Sequence, residues 1–195
     1  MFPMRIVQYG WTPKALLELH DSLAKASLPS EPKKAFVALG SNLGNSHEII
    51  IQAISRLQKY SSEPLLKSSI WQTTPVDCPP GSPAFMNAVV GLTPFSNETP
   101  ESLLEKLQQL EKEFGRQAKQ ILNEPRPLDL DLITFGNEIR TLEKVTLPHP
   151  RGHVRRFVLQ PLSEIAPDLV FPKQAKTVRE LLANLIADEK LSRLE

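Results

Sequence analysis

The order of strand-like and helix-like segments is the feature of this sequence that most constrains its fold. Runs of aliphatic and β-branched residues between turn-forming residues predict four strands, at 34–42, 65–76, 84–92 and 128–135. Apolar residues at helical spacing predict one helix between the first two strands, with Ser46 as its N-cap, and another between the last two, from Thr99 to Gly115. The resulting order, β-α-β-β-α-β, matches the ferredoxin-like α+β fold, an antiparallel sheet with its helices on one face.

Two further segments flank this unit. Residues 1–33 combine a helical pattern at 13–26 with a linker that contains Pro and Ser, so we expect an N-terminal appendage followed by a main domain at 34–195. At the other end, Thr177 is placed to cap a last helix, which predicts a C-terminal helical extension of the sheet domain.

Composition narrows the class of protein. Of the 195 residues, 41% are hydrophobic and 23% charged, as in soluble globular proteins, and a formal net charge of +1 gives no general reason to expect a nucleic-acid partner. No apolar run approaches the roughly 20 residues needed to cross a bilayer, so we expect no membrane partner. The lone Cys78 excludes an internal disulfide, and without an apolar signal segment the expected location is cytoplasmic.

The segment 128–135, LDLDLITF, carries two carboxylates in an otherwise apolar strand. Strict alternation puts both aspartates on one face with Ile133 and Phe135, and leaves the other face to Leu128, Leu130, Leu132 and Thr134. Carboxylates roughly 6.6 Å apart along a strand repel each other, and a hard cation such as Mg²⁺ would offset that repulsion. The alternative is an edge strand whose two aspartates simply face water.

Cationic side chains surround this pair in the sequence. Arg126 lies three residues before Asp129, and Arg116 follows the preceding predicted helix. Beyond the strand come Lys144, His149, Arg151, His153, Arg155 and Arg156. Metals on some oxygens and guanidinium groups on others suit a polyphosphate, although no Gly-rich Lys-Ser/Thr phosphate loop is present. A solvated basic surface is the alternative interpretation of this run.

Three segments together resemble one enzyme family. FVALGSNLGN (36–45), PRPLDLDLITFG (125–136) and LPHPRGHVRRFVLQPLSEIAPD (147–168) are similar, in order and spacing, to the 6-hydroxymethyl-7,8-dihydropterin pyrophosphokinases of folate biosynthesis. The resemblance implies a ferredoxin-like fold and an ATP-dependent diphosphotransferase. Such an enzyme transfers pyrophosphate from ATP to the hydroxymethyl oxygen of the pterin and releases AMP, with two Mg²⁺ ions held by Asp129 and Asp131.

The resemblance also implies roles for individual residues. Catalytic roles are implied for Arg116, Arg126, Asp129 and Asp131, the aspartates being the metal ligands. Contacts with ATP are implied for Gln108, Glu111, Arg116, Lys144, Thr146, His149 and Arg155. Contacts with the pterin are implied for Asn42, Thr73, Pro75, Val76, Phe85, Asn87 and a stacking Phe157. From the residues alone, Phe157 is instead expected in the core, whereas an Asn87 amide inside an apolar strand needs a partner.

One departure from the family concerns the segment before the aspartate strand. Asn123 and Glu124 stand where the family usually has Trp and Gly, and we expect this change to affect how the loop closes over the pterin. An inactive family member is therefore one alternative. A ferredoxin-like RNA-binding module is another, which the 6% aromatic content and near-neutral charge disfavour. Contact with other folate-pathway enzymes is a further expectation.

Overall fold

The computed structural model of the chain describes residues 33–74, 81–117, 125–186 and 190–194. The strands are β1 (Ala35–Ser41), β2 (Leu66–Lys67), β3 (Trp71–Thr73), β4 (Phe85–Leu92), β5 (Asp129–Phe135), β6 (Arg140–Thr141), β7 (Thr146–Leu147) and β8 (Leu191–Arg193). The α-helices are α1 (Ser46–Leu57), α2 (Pro100–Glu113), α3 (Arg156–Ile165) and α4 (Val178–Asn184). The predicted appendage lies outside the described residues except for Lys33, so it stays a prediction.

The main sheet is antiparallel, with strand order β5-β1-β4-β3-β8, and β2 also pairs with β4. Strands β6 and β7 form a separate two-stranded sheet. The single strand predicted at 65–76 is two short strands, β2 and β3. It breaks at Ser68, whose side-chain Oγ accepts the Val89 N–H at 2.9 Å, because this hydroxyl takes the place of a backbone carbonyl in the ladder.

Capping residues mark where the helices begin and end. Thr99 and Thr177 cap α2 and α4 with the reciprocal hydrogen bonds of a capping box, which confirms both predicted N-caps. Gly115 follows α2 with φ +91°, the left-handed conformation that commonly ends a helix. At α1 the prediction was wrong by one residue, since the side chain that accepts a hydrogen bond from the first turn belongs to Asn45 and not to Ser46.

Helices cover both faces of the sheet, whereas the sequence predicted helices on one face. The face that packs against α1 and α2 buries side chains such as Ile50, Leu57, Leu103, Leu107 and Leu110. The opposite face, here called the α3 face, packs against α3 and α4 through Val158, Leu159, Leu162 and Val178. Central strands buried on both sides explain the unbroken apolar runs of β1 and β4. In the part of the chain that the structure describes, no helix is long and apolar enough to cross a membrane.

A β-bulge interrupts the alternation of β5. Its register against β1 shifts between Phe36 and Val37, which leaves Ile133 without a cross-strand partner. Phe135 therefore packs with the leucines of β5 against α1 and α2, and Thr134 pairs with Phe36. Strict alternation had placed Phe135 beside the aspartates and Thr134 among the leucines, and both predictions were wrong. The bulge separates the aspartate half of β5 from its purely apolar half.

Candidate active site

One row of residues crosses the sheet. The register pairs Trp71 of β3 with Asn87 of β4, Asn87 with Gly40 of β1, and Gly40 with Asp129 of β5. Because directly paired residues share a face, these four positions all belong to the α3 face. Asp131 lies two residues further along β5 and therefore on the same face. The alternation of the sequence thus correctly predicted that the two aspartates lie side by side.

Because Gly40 has no side chain, this row has a gap between the Asn87 amide and the Asp129 carboxylate. A Cβ at position 40 would lie 3.3 Å from Asn87 Oδ1 and 3.9 Å from both Asp129 Cβ and the Phe85 ring. A glycine inside a strand commonly marks a place where another group approaches the backbone closely. The gap above Gly40 is thus bordered by Asn87 and Phe85 on one side and by Asp129 on the other.

The neighbouring strand fixes the orientation of Asn87. Its Nδ2 donates a hydrogen bond of 2.8 Å to Thr73 Oγ1, and both residues are buried. A buried amide is costly unless it is paired, so this hydrogen bond stabilises one orientation of the Asn87 side chain. With Nδ2 engaged, Oδ1 is the atom presented to the gap at Gly40.

Asn42, directly after β1, holds the backbone of Arg126. Asn42 Oδ1 accepts the Arg126 N–H at 2.9 Å, and the Asn42 N–H donates to the Arg126 carbonyl at 3.2 Å. The Arg126 guanidinium lies 5.9 Å from the Phe85 ring centroid, and its Nη2 lies 3.1 Å from Asp129 Oδ2. Arg126 Nε is buried and has no hydrogen-bond partner among the described residues. Asn42 thus positions an arginine, and its predicted pterin contact stays a prediction.

Glu111 on α2 is a buried carboxylate between this helix and β5. Its Oε1 accepts the Leu130 N–H at 2.7 Å and also accepts from Arg116, whose Nη1 donates to Asp129 Oδ1 at 2.8 Å. Burial raises the pKa of Glu111 to about 7, although the Leu130 N–H and the Arg116 charge act in the opposite direction. Glu111 therefore holds Arg116 in an orientation in which it also reaches Asp129. The same Glu111 oxygen is occupied by two donors, the Leu130 N–H and Arg116.

Asp131 faces His149 and the cationic Arg155 at longer range. Its Oδ2 lies 3.9 Å from His149 Nε2 and 3.8 Å from Arg155 Nη1. Burial, and then the negative charge of Asp129, raise the pKa of Asp131, while the cations on the other side lower it. Nearby protein cations therefore only partly offset the repulsion between the two carboxylates.

His149 presents an N–H to the same place. Its Nδ1 accepts the backbone N–H of Arg151 at 3.2 Å, so the proton of the neutral ring belongs on Nε2, the nitrogen nearest Asp131. Burial lowers the pKa of His149, and the charges of Arg155 and Arg151 lower it further against the opposing effect of Asp131. A neutral His149 can thus still donate a hydrogen bond.

These side chains line one cleft of about 520 Å³. Its lining residues are Gln108, Glu111, Lys112, Arg116, Gln117, Arg126, Asp129, Leu130, Asp131, His149, Arg151 and Arg155. The four residues predicted to be catalytic lie here together with most of those predicted to contact ATP. Lys112 and Gln117 were not singled out from the sequence. Lys112 could have been predicted from the sequence, because it lies one helical turn after Gln108 on the same side of α2.

Other predicted site residues lie away from the cleft lining. Lys144 and Thr146 are exposed, beside and at the start of β7. Phe157, in the first turn of α3, is half-buried against the core of the α3 face, and its ring lies 5.3 Å from the Arg155 guanidinium. Outside the described residues lie Pro75, Val76, Asn123 and Glu124. The roles of all these residues stay predictions.

Asp129 and Asp131 suit a Mg²⁺ ion whose other ligands come from a polyphosphate and water. They do not suit a metal ion that is bound by protein ligands alone. Within the described ranges there is no group of three or more His, Cys, Asp or Glu side chains that could hold a metal ion. Mg²⁺, however, commonly takes only one or two carboxylates and completes its octahedron with water and phosphate oxygens. Asp129 and Asp131 line the cleft with side chains 22% and 34% exposed, so both can reach such a cation.

Comparison with known proteins gives the same assignment as the motifs. The sequence model of the family described as 7,8-dihydro-6-hydroxymethylpterin-pyrophosphokinase (HPPK) matches residues 36–167. The chain is 38% identical over 161 residues to the 2-amino-4-hydroxy-6-hydroxymethyldihydropteridine pyrophosphokinase of Haemophilus influenzae, covering 82% of this chain and 97% of that protein. The resemblance predicted from three sequence segments is thereby confirmed.

Longer proteins contain a similar region. The folic acid synthesis protein fol1 of Pneumocystis carinii is 36% identical over 166 residues, which are 85% of this chain and 22% of that protein. A crystal structure of Plasmodium falciparum HPPK-DHPS has the same fold over 80% of this chain and 45% of its own, with a TM-score of 0.61 at 16% identity. By sequence and by fold, the chain belongs to the 7,8-dihydro-6-hydroxymethylpterin-pyrophosphokinase family.

Proposed function

We propose that this chain transfers pyrophosphate from ATP to the hydroxymethyl oxygen of 6-hydroxymethyl-7,8-dihydropterin, releasing AMP and the pterin diphosphate for folate synthesis. The observation that carries the proposal is a cleft in which two adjacent aspartates face arginines and a histidine. Family membership supports the same reaction. The arrangement suits this chemistry because phosphoryl-type transfer depends chiefly on positioning and charge neutralisation.

The cations of the cleft are proposed to bind the triphosphate. The guanidinium groups of Arg116 and Arg126 both contact Asp129, and the buried Arg126 Nε has no acceptor among the described residues. Phosphate oxygens supply acceptors for such N–H groups. His149 Nε2–H offers a further donor on the Asp131 side. Cations on both sides of the acidic pair thus hold the triphosphate across it.

The acidic pair is proposed to hold the metal. Asp129 and Asp131 would share two Mg²⁺ ions with the triphosphate, and these ions, when bound, neutralise charge on the phosphate oxygens. Burial and, after it, repulsion from Asp129 raise the pKa of Asp131, and this repulsion would fall once cations share the site. With a metal ion on Asp129, Arg116 and Arg126 would lose their contacts with this carboxylate, and both could then bind phosphate oxygens.

The pterin is proposed to lie on the α3 face beside Gly40. Asn87 Oδ1 offers an acceptor there, held in place by the hydrogen bond to Thr73. Phe85 supplies an aromatic border on the same side of the gap. A planar heterocycle with N–H groups along its edge suits one fixed amide oxygen beside an aromatic ring.

Product analysis tests this function. The purified chain is incubated with ATP and Mg²⁺, with and without the pterin, and AMP and ADP are separated and quantified. We expect AMP only when pterin is present, and no ADP. Asp129→Ala and Asp131→Ala should each lower turnover by about 100-fold or more while the chain stays folded. Asp168→Asn is the matched control, since the Asp168 side chain is 79% exposed and outside the cleft.

Three outcomes would contradict the proposal. Formation of ADP in place of AMP would replace pyrophosphoryl transfer by simple kinase chemistry. Near-normal turnover in either aspartate variant would remove the metal assignment. Absence of pterin-dependent AMP in the unaltered chain would favour an inactive family member, the alternative raised by Asn123 and Glu124.

Three finer statements belong to the same proposal. The strand order β5-β1-β4-β3 with antiparallel pairing supports a ferredoxin-like topology for the sheet. A cytoplasmic location is proposed from the sequence alone. Contact with another enzyme of folate synthesis is proposed because one structural relative is an HPPK-DHPS protein and a plant relative is named a folate synthesis bifunctional protein.

A further inference from the structure

Glu164 joins α3 to the segment that leads into β3. Its Oε2 accepts the backbone N–H of Ser69 at 2.6 Å, and its Oε1 accepts the indole Nε1–H of Trp71 at 3.0 Å. Both oxygens of one carboxylate are therefore engaged by two neutral donors from the same three-residue stretch. Glu164 is exposed to solvent, yet its carboxylate is held by two directional hydrogen bonds, from the Ser69 N–H and the Trp71 indole N–H.

This contact lies at the start of β3, a strand with short pairings on both sides. The ladder to β4 is interrupted between β2 and β3, and β3 is only three residues long. Its other neighbour, β8, is equally short and pairs with it over the same three residues. Short pairings leave few backbone hydrogen bonds to hold the strand, so a side-chain contact at its start matters more than it would on a long strand.

Strand β3 carries part of the proposed pterin site. Trp71 and Thr73 are two residues apart and so share the α3 face, and Trp71 pairs directly with Asn87. Thr73 in turn accepts the hydrogen bond that orients the Asn87 amide. Any displacement of β3 would therefore move the acceptor presented at the Gly40 gap.

Helix α3 carries Phe157, for which the family resemblance implies a stacking contact with the pterin. Phe157 and Glu164 are seven residues apart, which is about two turns, so they project from the same side of this helix. Glu164 contacts β3 from the end of α3, while Phe157 lies at its beginning. Pro161 lies between these two residues and cannot donate a hydrogen bond to the Phe157 carbonyl, so the contact of Glu164 fixes the C-terminal end of α3 against β3 more directly than it fixes Phe157.

We propose that Glu164 is a positioning residue that sets the placement of β3 against α3, and with it the positions of Thr73 and Asn87, and thereby the fit of the pterin ring. The inference rests on the proposed function and deepens it. Among the described residues Glu164 does not belong to the cleft lining, and its hydrogen bonds go to Ser69 and Trp71, so it acts through β3 and not on reacting atoms.

Graded variants test the inference. Glu164→Ala removes both hydrogen bonds, whereas Glu164→Gln keeps one oxygen acceptor and loses the other. Trp71→Phe removes only the indole donor. Equilibrium binding of the pterin is measured with Mg²⁺ and a non-hydrolysable ATP analogue present, and binding of the analogue alone is measured separately.

We expect pterin Kd to rise about 5- to 20-fold in Glu164→Ala and by a smaller factor in Glu164→Gln, because one or two charge-assisted hydrogen bonds are lost. Affinity for the ATP analogue should stay within about twofold, and KM for the pterin should rise more than kcat falls. Trp71→Phe should add little to the effect of Glu164→Ala, because both changes remove the same contact. Asp168→Asn, which breaks an exposed ion pair with Arg179 of α4, is the control and should leave both affinities unchanged.

Three results would overturn the inference. Unchanged pterin affinity in Glu164→Ala would show that the contact does not place the ring. Equal losses of pterin and nucleotide affinity would indicate a general structural role. If Glu164→Ala does not fold, an unchanged pterin affinity in both Glu164→Gln and Trp71→Phe would overturn it in the same way. Failure of the unaltered chain to bind pterin would instead overturn the proposed function together with this inference.

Discussion

The buried carboxylate of Glu111 should make the stability of this protein fall as pH rises through neutrality. Its pKa is raised from an ordinary value of 4.5 to about 7, chiefly by burial. The unfolded chain therefore releases this proton at lower pH than the folded chain does. Between these two values the folded state binds more protons, so the free energy of unfolding decreases with increasing pH.

The size of the effect follows from the two pKa values. A pKa difference of this size corresponds to about 3 kcal/mol, most of which falls between pH 5 and pH 8. Glu111→Gln removes the titration and keeps an oxygen that can accept the Leu130 N–H. The stability of the unaltered chain relative to Glu111→Gln should therefore decline by about 2–3 kcal/mol across this pH range.

Urea denaturation at pH 5, 6, 7 and 8, without metal or nucleotide, measures this difference. Equal m-values in the two proteins are required for the comparison. Glu105→Gln, an exposed position on the same helix, is the control and should show no comparable trend. A difference between the unaltered chain and Glu111→Gln that stays constant within about 0.5 kcal/mol, or that grows with pH, would refute the reasoning.

Three further predictions concern packing, capping and catalysis. Gly91→Ala should destabilise the fold by about 1–3 kcal/mol, because the added Cβ would lie 2.9 Å from the buried Phe36 ring; a thermal melt like that of the unaltered chain would contradict this. Thr177→Ala should cost about 1 kcal/mol by removing the cap of α4, measurable by urea denaturation, whereas Thr177→Ser should cost much less. Arg126→Ala should slow the chemical step in single-turnover experiments more than it weakens nucleotide binding, and an unchanged single-turnover rate would exclude a catalytic role.

The sequence predicted the elements of the fold well where one local rule decides them. Apolar spacing along α1 and α2 and the capping residues Thr99 and Thr177 depend on neighbours within a few positions. The bulge in β5 depends instead on how β1 pairs with it, so the face occupied by Phe135 was not available from its own segment. The break at Ser68 likewise results from a hydroxyl that bonds to a different strand.

The same distinction applies to the site. The side-by-side aspartates follow from strand alternation, and the cations around them were visible as a run in the sequence. That Glu111 lies between Arg116 and the backbone of Leu130 could not be predicted, because it requires α2 to pack on β5 at one particular height. Asn42 was expected to touch a ligand, yet its amide holds the Arg126 backbone, a contact across a large separation in sequence.

The row formed by Trp71, Asn87, Gly40 and Asp129 has a consequence for the folding pathway. Its members come from four strands, and β1 must pair with two strands distant from it in the chain, β4 and β5, before the row exists. Contacts of such long sequence separation close late, because each large loop costs entropy before any pairing offsets it. A partly folded chain with its helices formed but with β5 not yet paired with β1 would thus still lack the correctly placed Asp129 and Asp131 of the cleft. Nucleotide binding should therefore stabilise only the completed sheet, and the nucleotide can serve as a probe for the final step of folding.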